Sequence, residues 1–139
     1  MTTETNAAAF RRRALLALDL TVAGDTDGAR EAVRDLRTHH GPGHLTEALL
    51  VWVDALLGRT PPAYHEALQA TPSHDHNGDS DPVTRWAQAL ITAVATGDKE
   101  AFVALRLAIP RHAARIEAHQ MGLLTAIATH LRKAETRSS

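Results

Sequence analysis

Apolar residues recur three and four positions apart along most of the chain, and no stretch alternates between apolar and polar residues as a strand does. This spacing places the apolar side chains on one side of an α-helix. The pattern predicts an all-α protein, a single compact domain over 1–139 with about six helices and one further short helix. Glycine, proline and capping residues bound the predicted helices, which are 7–23, 27–38, 44–57, 63–70, 82–97, 99–109 and 111–134.

The third predicted helix is apolar around most of its circumference. Only a narrow strip through Glu47 and Asp54 is polar. A helix of this kind is either the buried centre of a fold or part of a subunit interface, and the sequence leaves both alternatives open. Trp52, Val53 and Asp54 of this helix, with Trp86 of a later one, are the candidate interface or pocket residues.

Two parts of the chain repeat one design. The residues Val-Ala-Gly-Asp at 22–25 and Ala-Thr-Gly-Asp at 95–98 each follow an apolar helix and precede an amphipathic one. The spacing is about 72 residues with a one-residue gap, which is far from the period of about 34 of tetratricopeptide repeats, so no family is assigned. This repeated pattern indicates two similar three-helix halves, 7–70 and 81–134, packed about a pseudo-twofold axis and joined by a polar linker over 71–80. Shared helix-capping chemistry could also produce it.

Composition excludes several classes of protein. The chain has 139 residues, is 44% hydrophobic and contains no cysteine, which excludes a disulfide scaffold, a disordered tail and thiol catalysis. With 15 basic and 16 acidic residues, it lacks the excess of positive charge that sequence-independent nucleic-acid binding requires. No apolar run approaches the roughly 20 residues that span a bilayer. We expect a cytoplasmic protein that binds neither nucleic acid nor membrane.

The nine histidines are the main candidates for chemistry, because imidazole binds metals and titrates near neutral pH. His39, His40 and His44 surround a Gly-Pro-Gly turn, which is typical of a polar helix end. Counted from Asp75, the polar run over 74–81 has its glycine at the fourth place of a calcium loop instead of the sixth, and the twelfth place, where a bidentate Glu is needed, is Trp86. We therefore interpret the run as a solvated linker. His112 and His119 share a helix face without a Glu-x-x-His motif. The sequence therefore assigns no metal ligand, no cofactor and no catalytic residue.

Three functions remain as hypotheses. The favoured one is a non-enzymatic protein-interaction or regulatory module, which forms a homo-oligomer or binds a protein partner. The alternative is a small-molecule-binding domain with a pocket between the halves, lined by Trp52, Asp54 and Trp86. A histidine-based metal site is the least favoured.

Overall fold

Helices account for nearly all of the chain that the computed structural model describes, which is residues 6–40, 44–70 and 82–138. The prediction of an all-α bundle is confirmed: these residues form seven α-helices and no strand. Each helix begins and ends within about one turn of its predicted bounds. The predicted linker 71–80 lies outside the described residues. The helices are α1 (Asn6–Val22), α2 (Thr26–His40), α3 (Leu45–Arg59), α4 (Pro62–Ala70), α5 (Pro82–Thr96), α6 (Lys99–Leu107) and α7 (Ala113–Ser138).

The longest helix, α7, lies at the centre of the packing. It has 26 residues and contacts α1, α2, α3 and α5. Leu123, Leu124 and Ile127 of α7 are completely buried, because the helical repeat brings them to one side. Gly122 allows a close approach to α5, since a methyl group there would overlap the Val83 side chain. None of the helices in the described residues is long and apolar enough to cross a membrane.

The predicted repeat corresponds to two helical hairpins with the same turn. Gly24 and Gly97 both have positive φ, 87° and 74°, a region that glycine enters without a Cβ penalty. Each ends its helix in a Schellman motif, in which the amide of the next residue, Asp25 or Asp98, donates to the carbonyl five residues back, at 2.9 and 2.8 Å. The same two aspartates then cap the following helices, because Oδ1 accepts from the amide three residues on, at 2.9 Å in α2 and 3.1 Å in α6.

The helices include two triplets, α1–α2–α3 and α5–α6–α7. When each helix of the first triplet is exchanged with its counterpart in the second, most of the helix contacts are reproduced. Within the first triplet α1 packs on α2 and α3, and within the second α5 packs on α6 and α7. Between them α1 packs on α7, and α5 packs on α3. These six helix pairs fit an exchange of the two triplets, whereas the contact of α2 with α7 has no counterpart of similar extent between α6 and α3 in the described residues. The fourth helix, α4, has no counterpart and packs on α5. Duplication of the two halves stays a prediction.

Helix α3 supplies the interior of the first triplet. Trp52 and Val53 are completely buried within the chain, and the Trp52 indole Nε1 donates a 2.8 Å hydrogen bond to the Ala14 carbonyl of α1. A buried indole N–H needs such a partner. These two side chains therefore contribute no surface to the chain, and Leu50 is the largely exposed apolar residue of this helix.

A buried polar network holds α4 against the bundle. The Tyr64 hydroxyl of α4 lies 2.8 Å from His130 Nδ1 of α7, and His130 Nε2 lies 2.9 Å from Gln88 Oε1 of α5. A neutral imidazole protonated at Nε2 accounts for both bonds, with the hydroxyl donating to Nδ1 and Nε2–H donating to the amide oxygen. Burial lowers the pKa of His130 to about 4, and the nearby positive charge of Lys133 adds to this. Both ring nitrogens of His130 therefore have a hydrogen-bond partner, and the ring is neutral.

Substitution of the two turn glycines tests their positive φ. Gly24→Ala and Gly97→Ala should each lower the free energy of unfolding by about 1 kcal/mol, because a Cβ is strained in the left-handed region. The matched control is Gly58→Ala, which lies within α3 with open space around its Cα and should raise stability by roughly 0.5–1 kcal/mol. Urea denaturation of the three variants measures these differences. Equal effects at all three positions would contradict the positive φ of Gly24 and Gly97.

The His130 network predicts a loss of stability in mild acid. Its folded pKa of about 4 lies below the unfolded value of about 6.5, so the unfolded chain binds the proton first as pH falls. The contribution of His130 to the free energy of unfolding is fully present above about pH 6.5 and declines toward pH 4. Between pH 7 and pH 5 this residue alone lowers the free energy of unfolding by about 2 kcal/mol. Urea denaturation across this range should show a shallower decline in His130→Gln than in the wild type. Parallel pH profiles would show that the histidine titrates alike in both states.

Candidate functional site

The structure contains a cleft between the two triplets, with a volume of about 520 Å³. The ends of α2 and α6, the beginnings of α3 and α7, and the segment between α6 and α7 surround it. Its lining residues are Arg37, Leu45, Arg106, Leu107, Ile109, Pro110, Arg111 and Ile116. Three of them are arginines and none is acidic, so the cleft combines positive charge with apolar surface.

Local structure explains how the arginines reach the cleft. Arg37 and Arg106 lie in the last turns of α2 and α6, where the negative end of the helix dipole favours a cation. The Arg106 guanidinium also donates to the Thr46 hydroxyl of α3, which fixes its direction across the gap between the triplets. Pro110 cannot continue α6, and the turn that follows presents Arg111, which is exposed.

The apolar part of the lining comes from the edge of the core. Leu45 and Ile109 are buried, Ile116 is partly buried and Leu107 is 64% exposed at the rim. A molecule in the cleft would therefore contact aliphatic side chains on its inner side and guanidinium groups around them. This combination suits a ligand with one apolar and one anionic part.

Glu117, which follows a lining residue of the cleft in the sequence, forms an ion pair with another helix. Glu117 follows the lining residue Ile116 on α7, and its Oε1 accepts a 2.7 Å hydrogen bond from Arg34 Nε of α2. Arg30 lies 3.9 Å from its other oxygen. Hydrogen bonding to Glu117 raises the pKa of Arg34. This ion pair joins α2 to α7 beside the cleft.

The four residues proposed from the sequence do not line this cleft. Trp52 and Val53 lie in the interior, and Asp54 is exposed on α3. The Trp86 indole donates a 2.8 Å hydrogen bond to the Leu105 carbonyl of α6, and its ring meets the His119 ring edge-on with centroids 4.9 Å apart. A gap between the halves thus exists, but Trp52, Asp54 and Trp86 do not form it, because the two large indoles fill the core space that they were expected to border.

The histidines considered from the sequence are separate from one another. His44 is buried with Gln120 Nε2 at 3.4 Å from its Nε2, whereas the exposed His39 contacts the Asp35 carbonyl through Nδ1. His119 Nδ1 lies 2.7 Å from the Arg115 carbonyl, and His112 is exposed. Within residues 6–40, 44–70 and 82–138, no group of three or more potential ligands is placed to hold a metal ion. The polar run 74–81 lies outside those residues.

The lining arginines were missed because the chain separates them. The longest run of adjacent basic residues in the sequence is Arg11 to Arg13, and three consecutive residues of a helix point in three directions. Arg106 and Arg111 flank Pro110, and that spacing is a signal that could have identified them as neighbours at a helix end. Nothing local connects them with Arg37, since packing of α2 against α7 brings it there.

Comparison of the chain with protein-family models, with curated proteins and with solved structures finds no match.

Proposed function

We propose that the protein binds a small organic anion in the cleft between the triplets, as a non-enzymatic binding or regulatory module. The observation that carries this proposal is the convergence of Arg37, Arg106 and Arg111 on one cleft whose described lining residues include no acidic one. The anionic group, a carboxylate or a phosphate, is held by the guanidinium groups. The apolar part of the ligand lies against Leu45 and Ile116.

Electrostatics favours an anion at this place. The guanidinium groups in the lining attract an anion. Arginine presents planar, paired donors that match carboxylate and phosphate oxygens. The volume of about 520 Å³ falls in the range of roughly 300–1,000 Å³ that small-molecule sites occupy.

The same lining supports binding in preference to catalysis. A general acid or base needs a group whose pKa lies near the working pH, and the described residues of the lining include no histidine, carboxylate, cysteine or lysine. Arginine stays charged throughout the physiological range. The described lining residues would therefore hold and orient a molecule in this cleft through charge and apolar contact.

Thermal denaturation with simple anions tests the proposal. We expect inorganic phosphate to raise the melting temperature of the wild type slightly, and acetate, hexanoate and decanoate to raise it increasingly with chain length. A ligand that binds only the native state stabilises it by about 2.7 kcal/mol at one hundred times its Kd. Arg111→Gln should weaken the binding of hexanoate about tenfold, because a charged hydrogen-bonding group contributes roughly 1.5–3 kcal/mol.

The matched control is Arg85→Gln. Arg85 is an exposed arginine of α5 outside the cleft lining, so its removal changes the net charge equally and should leave the affinity unchanged. Isothermal titration of hexanoate into both variants distinguishes a site from general charge attraction. Equal weakening in the two variants, or no stabilisation by any of the four anions, contradicts an anion site in this cleft.

A further inference from the structure

Helix α6 is held in the bundle by less buried surface than the other helices. None of its residues is buried, whereas each of the other six described helices has at least two buried side chains. Phe102 and Leu105 are partly buried against the core. On the opposite side, Val103 and Leu107 are 49% and 64% exposed and form an uncovered apolar face. Burial of apolar surface, the main favourable contribution to packing, is therefore small for this helix.

Two side-chain hydrogen bonds join α6 to other described helices. On one side, Trp86 of α5 donates to the Leu105 carbonyl at 2.8 Å, and α5 is the described helix on which α6 packs most extensively. On the other side, the Arg106 guanidinium donates to the Thr46 hydroxyl of α3. The bond to Thr46 therefore connects α6 with the first triplet across the cleft.

Helix α6 and the residues that follow it form one wall of the cleft. Arg106 and Leu107 lie in its last turn, and Ile109, Pro110 and Arg111 come after it. The opposite wall belongs to α2, α3 and α7. Because Arg106 and Leu107 move with α6, the position of this helix sets the width of the cleft.

The two ends of α6 confine a movement to the helix itself. Gly97, with a φ of 74°, precedes the helix, and residues at the ends of elements, often small ones, are common hinge positions. Ile109 is buried and holds the segment after the helix against the core. An opening between these two points breaks the hydrogen bonds of α6 to α5 and α3 and leaves the rest of the bundle folded.

We propose that α6 is a movable wall of the cleft, which opens as a unit and is closed by the hydrogen bond between Arg106 and Thr46. Segments with few buried apolar contacts open locally at a lower free energy than the core, and the lids of binding sites are drawn from such segments. Opening of α6 widens the cleft, and its closure brings the Arg106 guanidinium across it.

The effect of this movement on binding rests on the proposed anion site. A guanidinium group has five N–H donors, so Arg106 can donate to the Thr46 hydroxyl and to an anion at the same time. An anion that contacts Arg106 only in the closed state shifts the population toward that state. Occupancy of the cleft and closure of α6 are thereby coupled.

Hydrogen exchange of the full chain, followed residue by residue by NMR without organic anions, tests the movement. The helical amides over 103–107 should exchange at least tenfold faster than the central amides of α5 and α7, after correction for intrinsic rates. They should agree with one another within about threefold and respond weakly to low urea concentrations, because a local opening exposes little surface. Protection and urea dependence equal to those of α7, or protection that falls steadily toward one end of α6, overturn the proposal.

Substitution of Thr46 tests the closing bond. Thr46→Val removes the hydroxyl and should speed exchange in α6 about tenfold, because a hydrogen bond from a charged group is lost, whereas Thr46→Ser should exchange as the wild type does. The matched control is Thr129→Val, since the exposed Thr129 hydroxyl bonds only within α7, and it should leave exchange in α6 unchanged. No increase in Thr46→Val, or an equal increase in α6 and α7, contradicts a closing role for this bond.

The same exchange measured with hexanoate separates this proposal from the anion site itself. At ten times its Kd, hexanoate should slow exchange about tenfold in α6 and in α7, because neither the open nor the unfolded chain binds it. Slower exchange in α7 alone would show that the anion binds without closing α6, which contradicts the coupling. Unchanged exchange in both helices would contradict the anion site, and the movement is then decided by the exchange without ligand.

Discussion

Burial of α7 among four other helices is the constraint on which the rest of the structure depends. Leu123, Leu124 and Ile127 have no exposed surface, and each fully buried aliphatic side chain contributes about 1.5–3 kcal/mol. Since α7 contacts α1, α2, α3 and α5, these residues join the two triplets into one core. Loss of this helix would expose apolar faces of both triplets at once.

The two ends of α7 meet different surroundings. Toward its C-terminal end, α4 is joined to α7 and α5 by the hydrogen bonds from Tyr64 to His130 and from His130 to Gln88. Near its beginning, α6 ends at Leu107 and Pro110 follows, and none of the described helices covers the space between α2 and α6. The cleft lies in this space. Ile116 and His130 are about 20 Å apart along the helix, so the closed network and the open cleft are separate features.

The short length of α6 connects the cleft with the uncovered apolar face. A helix of nine residues contributes two turns, which suffice for Leu105 to accept the Trp86 hydrogen bond but leave Val103 and Leu107 outside the core. The residues that limit α6, Asp98 at its start and Pro110 after its end, thus determine indirectly where the surface is apolar and where arginines gather. The cleft lies where α6 of the second triplet is shorter than its counterpart α2 in the first, with nine residues against 15.

Much of this fold could be predicted from the sequence because helices are stabilised by nearby residues. Apolar spacing, the caps at Asp25 and Asp98 and the positive φ of Gly24 and Gly97 all act within a few positions along the chain, and each was visible as a local pattern. The same patterns identified Trp52 as a residue of an apolar helix but could not decide between a buried centre and an interface. Packing against α1 decided that, through a contact 38 residues away in sequence. Only the tertiary structure brought Arg37 to Arg106 and Arg111, and Tyr64 to His130, because the distance between helices depends on the shapes of whole buried surfaces, which no short segment encodes.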